Sequence, residues 1–289
     1  MPAARLLAVH AHPDDESLSM ACTLASATQA GAHVTLVTAT LGEQGEVIGD
    51  ELAGLVAERA DQLGGYRLTE LAAACCALGV HERLFLGGLG TYRDSGMAGT
   101  PSAGHPRAFI GAQRGGPFHD QACAQLAEVI DRIRPQVVLT YDADGGYGHP
   151  DHIATHQVVM GAIPLARWQV ARVLAVVRPR ETTRAVFADV DAPPGYLTAG
   201  ADEVGCLADD RLVAVRVPTG PTRAQRRRAL AAHATQVELL PGEMFALSNR
   251  IAQPLAVAEC FRVLSGGPVP HRADGSPADD VFAGLDLDP

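Results

Sequence analysis

The sequence predicts an α/β fold in which a Rossmann-like, mostly parallel sheet carries helices on both faces and a smaller C-terminal lobe follows. The first observation is that short apolar runs rich in β-branched residues alternate with helical segments, which is typical of parallel sheets covered by helices. The second is that polar clusters follow two of the predicted strands, where open α/β sheets bind their ligands. The third is that a chain of 289 residues, 47% of them hydrophobic, can bury a core of this size.

The first half of the sheet is predicted from runs of apolar residues and from their period. A short apolar run that ends in polar residues indicates a buried strand, whereas apolar residues that repeat every three or four positions indicate a helix. The predicted elements are a strand at 6–11, a helix at 17–30, a strand at 33–40, helical segments at 52–63 and 71–78 separated by Gly64-Gly65, and a strand at 83–86. A Gly- and Pro-rich segment with little periodicity follows at 87–117, and loops of this length are usually functional or disordered.

In the second half of the chain, predicted strands and helices continue to alternate, and beyond about residue 172 the pattern becomes less regular. The predicted elements are a helix at 126–133, a strand at 136–141, a helix at 150–160, strands at 173–177, 185–190 and 211–217, and a basic helix at 222–237. We therefore divide the chain into a Rossmann-like domain with both polar clusters, a smaller lobe that caps it, and a Gly-, Pro- and Asp-rich tail that we expect to be mobile; these are residues 1–170, 171–265 and 266–289.

The composition excludes several classes of protein. The formal net charge is −10, and because an acidic surface repels phosphate backbones we expect no nucleic-acid partner. All the basic residues are arginines, which excludes a P-loop ATPase and a pyridoxal enzyme, since both need a lysine. The sequence has no leader-like segment and no apolar run of the ~18 residues that a membrane span requires. We expect a cytoplasmic protein with no membrane contact and no obligatory protein partner.

The turn after the first predicted strand reads His12-Pro13-Asp14-Asp15-Glu16-Ser17. A dinucleotide-binding fold carries glycines at this turn so that helix amides can face a pyrophosphate, whereas three consecutive carboxylates repel phosphate. Histidine and carboxylates are good ligands for a hard or borderline cation. The alternative is that Asp14 or Asp15 only caps the following helix. Three acidic residues and a histidine at the end of a buried strand favour the metal.

The second polar cluster, Gly145–His152, follows the strand at 136–141. Its glycines allow the backbone to bend closely around a ligand. His152 and His156 are four residues apart, a spacing that can bind zinc on one helix face, but His156 would point away from the edge of the sheet and is expected to be structural. His149 and His152 compete as the ligand, and spacing alone does not separate them.

The two loops together offer His, Asp and His at the carboxyl ends of two strands. Three protein ligands with an open fourth position are typical of catalytic rather than structural zinc. His10 lies two residues before His12 and is expected to pack behind the site, not to bind the metal. Nucleophilic alternatives have little support, because no GxSxG motif is present and Ser95 has no evident base beside it.

Two motifs, AHPDDE at Ala11–Glu16 and HPDH at His149–His152, are those of the PIG-L/LmbE-like deacetylases, and the chain resembles that family. The resemblance covers about residues 5–160 strongly and is thinner afterwards, where HATQ at 233–236 and Phe245–Asn249 are still similar. It is closest to one branch, the MshB deacetylases of mycothiol biosynthesis, in the segments TLGEQGEVIGD at 40–50, DQLGGYR at 61–67, RDSGMAG at 93–99 and GGYGHPDH at 145–152.

The resemblance implies a zinc enzyme, with another divalent metal such as Fe²⁺ as an alternative, and it implies a role for each site residue. The implied metal ligands are His12, Asp15 and His152. The implied catalytic residues are Asp14 as the general base, His149 as a histidine that assists the transition state, Tyr147 as a group that polarises the amide carbonyl, and Asp151 as the carboxylate that orients His149 and keeps it charged. The implied substrate-binding residues are Glu46, Arg67 and Asp94.

The implied reaction is removal of the N-acetyl group from an N-acetylglucosaminyl inositol, a small amino-sugar substrate. Within the family, the alternatives are the amidase that cleaves S-conjugates of mycothiol and a deacetylase of another N-acetyl sugar. A sugar-binding or regulatory protein with an unused metal site would not need Asp14. A nucleotide-binding oxidoreductase is disfavoured by the acidic first turn.

Overall fold

A computed structural model describes residues 4–287, which fold around an eight-stranded sheet with a separate three-stranded sheet beside it. The strands are β1 Arg5–His10, β2 His33–Thr38, β3 Glu82–Phe85, β4 Val137–Thr140, β5 Arg172–Pro179, β6 Leu207–Ala208, β7 Val215–Pro218, β8 Glu238–Leu240, β9 Met244–Ala246, β10 Gln253–Pro254 and β11 Ala258–Gly266. The α-helices are α1 Asp15–Ser19, α2 Ala21–Gln29, α3 Leu63–Leu78, α4 His119–Ile133, α5 Pro150–Ala162, α6 Arg180–Ala188 and α7 Arg223–Ala232.

The order of strands in the large sheet is β3-β2-β1-β4-β5-β11-β7, with β6 paired to β5. The first five are parallel, and β11 runs antiparallel to β5 and β7. Strand β1 pairs with β2 on one side and with β4 on the other, so the strand order reverses there. Because parallel strands end at the same edge of a sheet, the loops after β1 and β4 lie side by side.

Apolar side chains cover both faces of the sheet. Alternate residues of a strand point to opposite faces: Leu6 packs into a cluster with α2, α3 and α7, whereas Leu7 packs into another with α4 and α5. Both leucines are fully buried. The predicted α/β fold with helices on both faces is therefore confirmed. Among residues 4–287, none of the helices has the length and apolar character that crossing a bilayer would take.

Three predicted elements are wrong. Residues 52–63, predicted as a helical segment, form only a short 3₁₀ helix at Ala53–Leu55, and α3 begins at Leu63. Residues 185–190, predicted as a strand, lie mostly in α6, which buries Thr183 and Phe187 four residues apart on one helical face. Gly64-Gly65, predicted as an interruption, lies in the first turn of α3. A Cβ at Gly64 would come within 2.7 Å of Glu43 Cγ, so this glycine permits close packing of the helix against a loop and does not end the helix.

Four of the strands beyond residue 170, β5, β6, β7 and β11, extend the main sheet, whereas β8, β9 and β10 form the separate one. Strand β5 pairs with β4 on one side and with β11 on the other. The predicted boundary at residue 170 therefore does not separate two sheets. The division into a catalytic domain, residues 1–170, and a capping lobe, residues 171–265, stays a prediction.

Part of the final segment, residues 266–289, packs against the core, although the sequence predicts a mobile tail there; residues 288 and 289 lie outside the described residues, and the mobility of the segment stays a prediction. Val281 and Phe282 are buried in the cluster that contains Leu6. The fully buried Arg172 donates from Nη1 to the Val281 carbonyl at 2.9 Å and from Nη2 to the Ala283 carbonyl at 3.1 Å. The expectation rested on composition, which does not reveal that a few apolar residues find a place beside the sheet.

Replacing Phe282 with Ala is expected to lower the free energy of unfolding by about 3 kcal/mol, because it removes a ring that is 7% exposed from a packed cluster. Leu165→Ala is the control, since Leu165 is 58% exposed and its loss should change stability by less than about 0.5 kcal/mol. Urea denaturation of both variants measures the difference. Equal stability of the two variants would mean that the tail contributes nothing to the fold.

Candidate active site

The two polar clusters meet at the carboxyl ends of β1 and β4. His12 follows β1, and His149 caps α5, in whose first turn His152 lies. The His12 ring centroid is 4.7 Å from that of His149 and 5.2 Å from that of His152. All three rings are buried. The neighbouring positions of β1 and β4 in the sheet thus bring together residues about 140 positions apart in the chain.

The metal-binding atoms of three residues, His12, Asp15 and His152, face one another at the centre of this cluster. His12 Nδ1 lies 3.3 Å from His152 Nε2 and 3.6 Å from Asp15 Oδ2, and His152 Nε2 lies 3.5 Å from Asp15 Oδ1. Ligand atoms bound tetrahedrally to zinc at ~2.0–2.1 Å are separated by about 3.4 Å. The predicted ligands His12, Asp15 and His152 therefore form a group able to hold a divalent metal.

Further contacts orient each member of this group. His152 Nδ1 is 3.1 Å from the Gly145 carbonyl, which leaves Nε2 for the metal. The Tyr141 hydroxyl donates to Asp15 Oδ2 at 2.6 Å. On the far side of the His12 ring, Nε2 lies 3.3 Å from Asp151 Oδ2. Such partners commonly fix the tautomer and the direction of metal ligands.

The surroundings of His12 favour a positive charge. Burial lowers the pKa of His12, but the carboxylates of Asp94, Asp15 and Asp151 outweigh it and raise this pKa well above its usual value. A site that stabilises a proton on a buried imidazole is also electrostatically suited to a cation. His149 offers another nitrogen within 4.8 Å of His12 and His152, so the assignment of His152 over His149 as the third ligand stays a prediction.

Asp14 lies beside the ligand group without belonging to it. Its carboxylate is 3.0 Å from Arg67 Nη2. Burial raises the pKa of Asp14 to about 7, with Arg67 opposing the shift and Asp15 adding to it. A general base is most effective when its pKa is near the working pH, so Asp14 has the environment of a group that exchanges protons.

The Asp151 carboxylate pairs with His12 and forms no ion pair with His149 among residues 4–287, and the expectation that it orients His149 and keeps it charged stays a prediction. The backbone N–H of Asp151 donates to His149 Nδ1 at 3.2 Å, while Asp151 Oδ2 accepts the Ser95 N–H at 2.9 Å and faces His12. Burial, together with His12 and His152, lowers the pKa of His149 to about 4. The backbone contact follows from the helix start: His149 is the N-cap of α5, so a backbone N–H of the first turn reaches its ring.

The ligand group lies at one end of a cavity of about 480 Å³. The predicted site residues that line it are His12, Asp14, Asp15, Arg67, Asp94, Tyr147, His149 and His152. The Tyr147 side chain is half-exposed at the cavity wall, with its ring centroid 4.9 Å from that of His152. Asp151 lies behind His12 and is fully buried.

The sequence was compared with known proteins. The family model described as PIG-L, GlcNAc-PI de-N-acetylase, matches residues 7–163. The chain belongs to the PIG-L family. A relative from Nakamurella multipartita, described as 1D-myo-inositol 2-acetamido-2-deoxy-alpha-D-glucopyranoside deacetylase, is 73% identical over 99% of this chain and 97% of its own length. A protein of the same description from Thermobifida fusca is 46% identical over 96% of this chain and 99% of its own length.

Solved structures support the fold. A deacetylase–teicoplanin complex from the teicoplanin biosynthesis pathway aligns with 90% of this chain and 97% of its own, at 23% identity and a TM-score of 0.53. The resemblance to the PIG-L/LmbE-like family, inferred from the motifs, is confirmed by the family model and by both relatives. The predicted enzyme class, a hydrolase that removes N-acetyl groups, is that of the family and of both relatives.

Arg67 and Asp94, the predicted substrate-binding residues of this PIG-L protein, border the cavity but already have protein partners. Arg67 is buried and donates to the Gly42 carbonyl at 2.8 Å and to the Pro13 carbonyl, besides pairing with Asp14. Asp94 accepts the Gly96 N–H at 2.8 Å and lies 3.5 Å from His12 Nε2. Both therefore support the catalytic group, and their contact with substrate stays a prediction.

Glu46 is not brought to the cavity. Its side chain is exposed and does not line the wall, whereas its carbonyl accepts from Gln236 Nε2 at 2.9 Å. The sequence predicted a contact from similarity of the flanking segment, but the direction of a side chain in a loop depends on the local backbone. The predicted role of Glu46 in substrate binding has no geometric support here.

Several site residues were missed from the sequence. Tyr141, the last residue of the strand predicted at 136–141, has no role assigned from the sequence, yet its hydroxyl donates to the Asp15 carboxylate. Glu16 and His233 form a buried pair with Oε1 and Nε2 2.7 Å apart. They are 217 residues apart, and no local pattern links such positions. The expected absence of His10 and His156 from the ligand group agrees with their positions, since both contact Tyr141 instead.

Proposed function

We propose that this protein hydrolyses the N-acetyl group of an N-acetylglucosaminyl inositol with the help of one divalent metal held by His12, Asp15 and His152. The observation that carries the proposal is the set of three residues whose donor atoms lie 3.3–3.6 Å apart, with a carboxylate of pKa about 7 beside it. Both relatives that cover nearly the whole chain are described as deacetylases of this inositol glycoside. We take zinc as the metal, with Fe²⁺ as the alternative, and a cytoplasmic location as a prediction.

The metal supplies Lewis acidity, which polarises a carbonyl and makes a water molecule more acidic. Asp14 adjoins the ligand Asp15 and is placed to accept the proton that the attacking water loses. Arg67 holds the Asp14 carboxylate at 3.0 Å and so limits its orientations. Because its pKa is about 7, Asp14 can take a proton and return it at neutral pH.

Two further groups are suited to the transition state. Tyr147 lies at the cavity wall beside His152, where its hydroxyl can donate to the oxygen of the amide as negative charge develops. His149 accepts a backbone N–H at Nδ1, so its neutral ring carries the proton on Nε2 and can donate from there. With the proton returned by Asp14 to the leaving nitrogen as the C–N bond breaks, water and amide give acetate and the protonated amine.

The alternative within the family, an amidase acting on S-conjugates of mycothiol, is favoured by one observation. Beyond the metal group, the cavity continues along apolar residues that include Val176, Phe187 and Leu247. An apolar substituent could occupy this part. The same metal group and Asp14 would serve both reactions, so only substrate comparison separates them.

Kinetics with the N-acetylglucosaminyl inositol, with N-acetylglucosamine alone and with a mycothiol S-conjugate test the proposal. We expect the highest kcat/KM for the inositol glycoside, because a site that hydrogen-bonds hydroxyls discriminates strongly against compounds that lack them. A higher kcat/KM for the S-conjugate would make the protein an amidase of that class.

Replacing Asp94 with Ala is expected to lower kcat/KM for the inositol glycoside roughly 10- to 100-fold, the usual effect of losing a hydrogen bond to a charged group. N-acetylglucosamine, which lacks the inositol, should lose less. Metal content is measured in parallel because Asp94 lies 3.5 Å from His12 Nε2. The control is Glu51→Ala, which removes an exposed carboxylate from the chain that follows β2. Equal losses for both substrates would exclude a contact between Asp94 and the inositol.

A further inference from the structure

The backbone of Asp14 has an unusual conformation. Its φ is 112° and its ψ is −29°, a region that residues with a Cβ rarely adopt. Such a conformation persists only when neighbouring contacts hold it, and residues of this kind concentrate at functional sites. The contacts that hold Asp14 therefore decide where its carboxylate points.

One of these contacts comes from the Glu16 side chain. Glu16 Oε2 accepts the backbone N–H of Asp14 at 3.0 Å. The Asp14 carbonyl, in turn, accepts the N–H groups of Ser17 and Leu18, each at 2.9 Å. The peptide groups on both sides of the Asp14 Cα are thus hydrogen-bonded. The Glu16 side chain accepts the N–H of the preceding peptide group.

Glu16 is itself held by a distant residue. Its carboxylate is fully buried, and a buried carboxylate is costly unless it is paired and hydrogen-bonded. Oε1 accepts the Ser17 hydroxyl at 2.5 Å and lies 2.7 Å from His233 Nε2. His233 is the basic side chain that pairs with Glu16 within the part of the chain described, residues 4–287.

Among residues 4–287, the His233 side chain has no hydrogen-bond partner besides Glu16. It follows α7 and is fully buried, and its Nδ1 has no hydrogen-bond partner among residues 4–287. The segment around it is anchored separately, because Thr235 donates from its backbone N–H and its hydroxyl to Glu70, each at 2.8 Å. The loop would therefore keep its path without the imidazole.

We propose that His233 is a positioning residue for the hydrolysis: it holds the Glu16 carboxylate against the Asp14 N–H and thereby fixes the conformation in which Asp14 works as the base. The inference rests on the proposed function in one respect, that Asp14 accepts the proton. His233 lies outside the cavity wall and outside the metal group, so its effect reaches the reaction through Glu16 and Asp14.

The test uses His233→Leu, which removes the donor, and His233→Gln, which keeps an N–H donor. Loss of the contact should lower kcat about 10- to 100-fold, as small misplacements of catalytic groups do, with KM and metal content within about twofold of the parent. The glutamine variant should recover a substantial part of kcat. Thr222→Val is the matched control, because it removes a buried contact between the start of α7 and the Cys22 carbonyl without touching Glu16.

The decisive measurement is the double variant with Asp14→Asn. If His233 acts through Asp14, His233→Leu adds little further loss once Asp14 no longer accepts a proton, since residues that act as a unit are strongly non-additive.

A second loss of full size in the double variant would overturn the inference, as would an equal loss of kcat in Thr222→Val. A normal rate for Asp14→Asn alone would refute the proposed base and this inference with it. A normal kcat for both His233 variants would refute the inference only. If the leucine variant does not fold, the same cycle is measured with His233→Ala, which also removes the donor.

Discussion

Replacing Asp14 with Asn is expected to lower kcat at least ~10²-fold while the protein keeps its metal, which is the low end of the loss when a positioned base is removed. The amide has nearly the shape of the carboxylate and can keep a contact with Arg67, but it cannot accept a proton from water at neutral pH. Single-turnover kinetics and elemental analysis of the same preparation measure the two quantities. Asp189→Asn, at an exposed position, is the matched control.

A near-normal rate in Asp14→Asn would require another base. Glu16 is the acidic residue of this turn that is neither Asp14 nor a predicted ligand. The structure speaks against it, because both Glu16 carboxylate oxygens are engaged, by Asp14 N–H on one side and by Ser17 and His233 on the other. His149 would then be the group to test, since its ring lines the cavity beside the metal group.

Replacing His12, Asp15 or His152 with Ala is expected to remove the metal and to leave less than about 1% of the parent activity. Each variant takes away one of three residues whose donor atoms face one another within 3.3–3.6 Å. Chelator treatment of the parent protein should abolish activity, and added Zn²⁺ or Fe²⁺ should restore it, which also identifies the better metal. One metal ion per chain is expected by elemental analysis.

His149→Ala is the matched variant for this experiment, because His149 offers a nitrogen close to the same group. We expect it to keep the metal and to lose activity through the missing donor. Loss of metal from His149→Ala with retention in His152→Ala would exchange the roles of the two histidines. Full metal occupancy in all three ligand variants would exclude the proposed site. Asp14→Asn differs from every ligand variant in that turnover falls while metal stays.

The sequence by itself determined the fold class and the location of the site. Alternating apolar runs and helical periods predict a parallel sheet, and in such a sheet the loops after β1 and β4 meet if those strands are neighbours. These patterns are local, since each depends on residues a few positions apart. The resemblance carried by the AHPDDE and HPDH motifs then implied the ligand residues His12, Asp15 and His152, which stay a prediction. The same local reasoning was wrong for α6. Its β-branched residues led to a predicted strand at 185–190, although the segment also has a short helical period.

Only the tertiary structure decided which side chain faces which. The carboxylate of Asp151 turns to His12 because its backbone N–H, at the start of α5, is the group that reaches His149. Glu46 stays outside the cavity, and the final segment packs on the core through Val281 and Phe282. Each of these outcomes depends on backbone direction and on partners far away in the chain.

The pair of Glu16 and His233 is the strongest case of this kind. The acidic turn predicts a base and a ligand but does not reveal what holds the base in a strained conformation. The partner of Glu16 is His233, which lies in the loop after α7. Helix α7 packs against α3 and α2 on one face of the sheet. A contact between residues 217 positions apart leaves no period or motif in either segment, because its geometry is set by the packing of whole helices on the sheet.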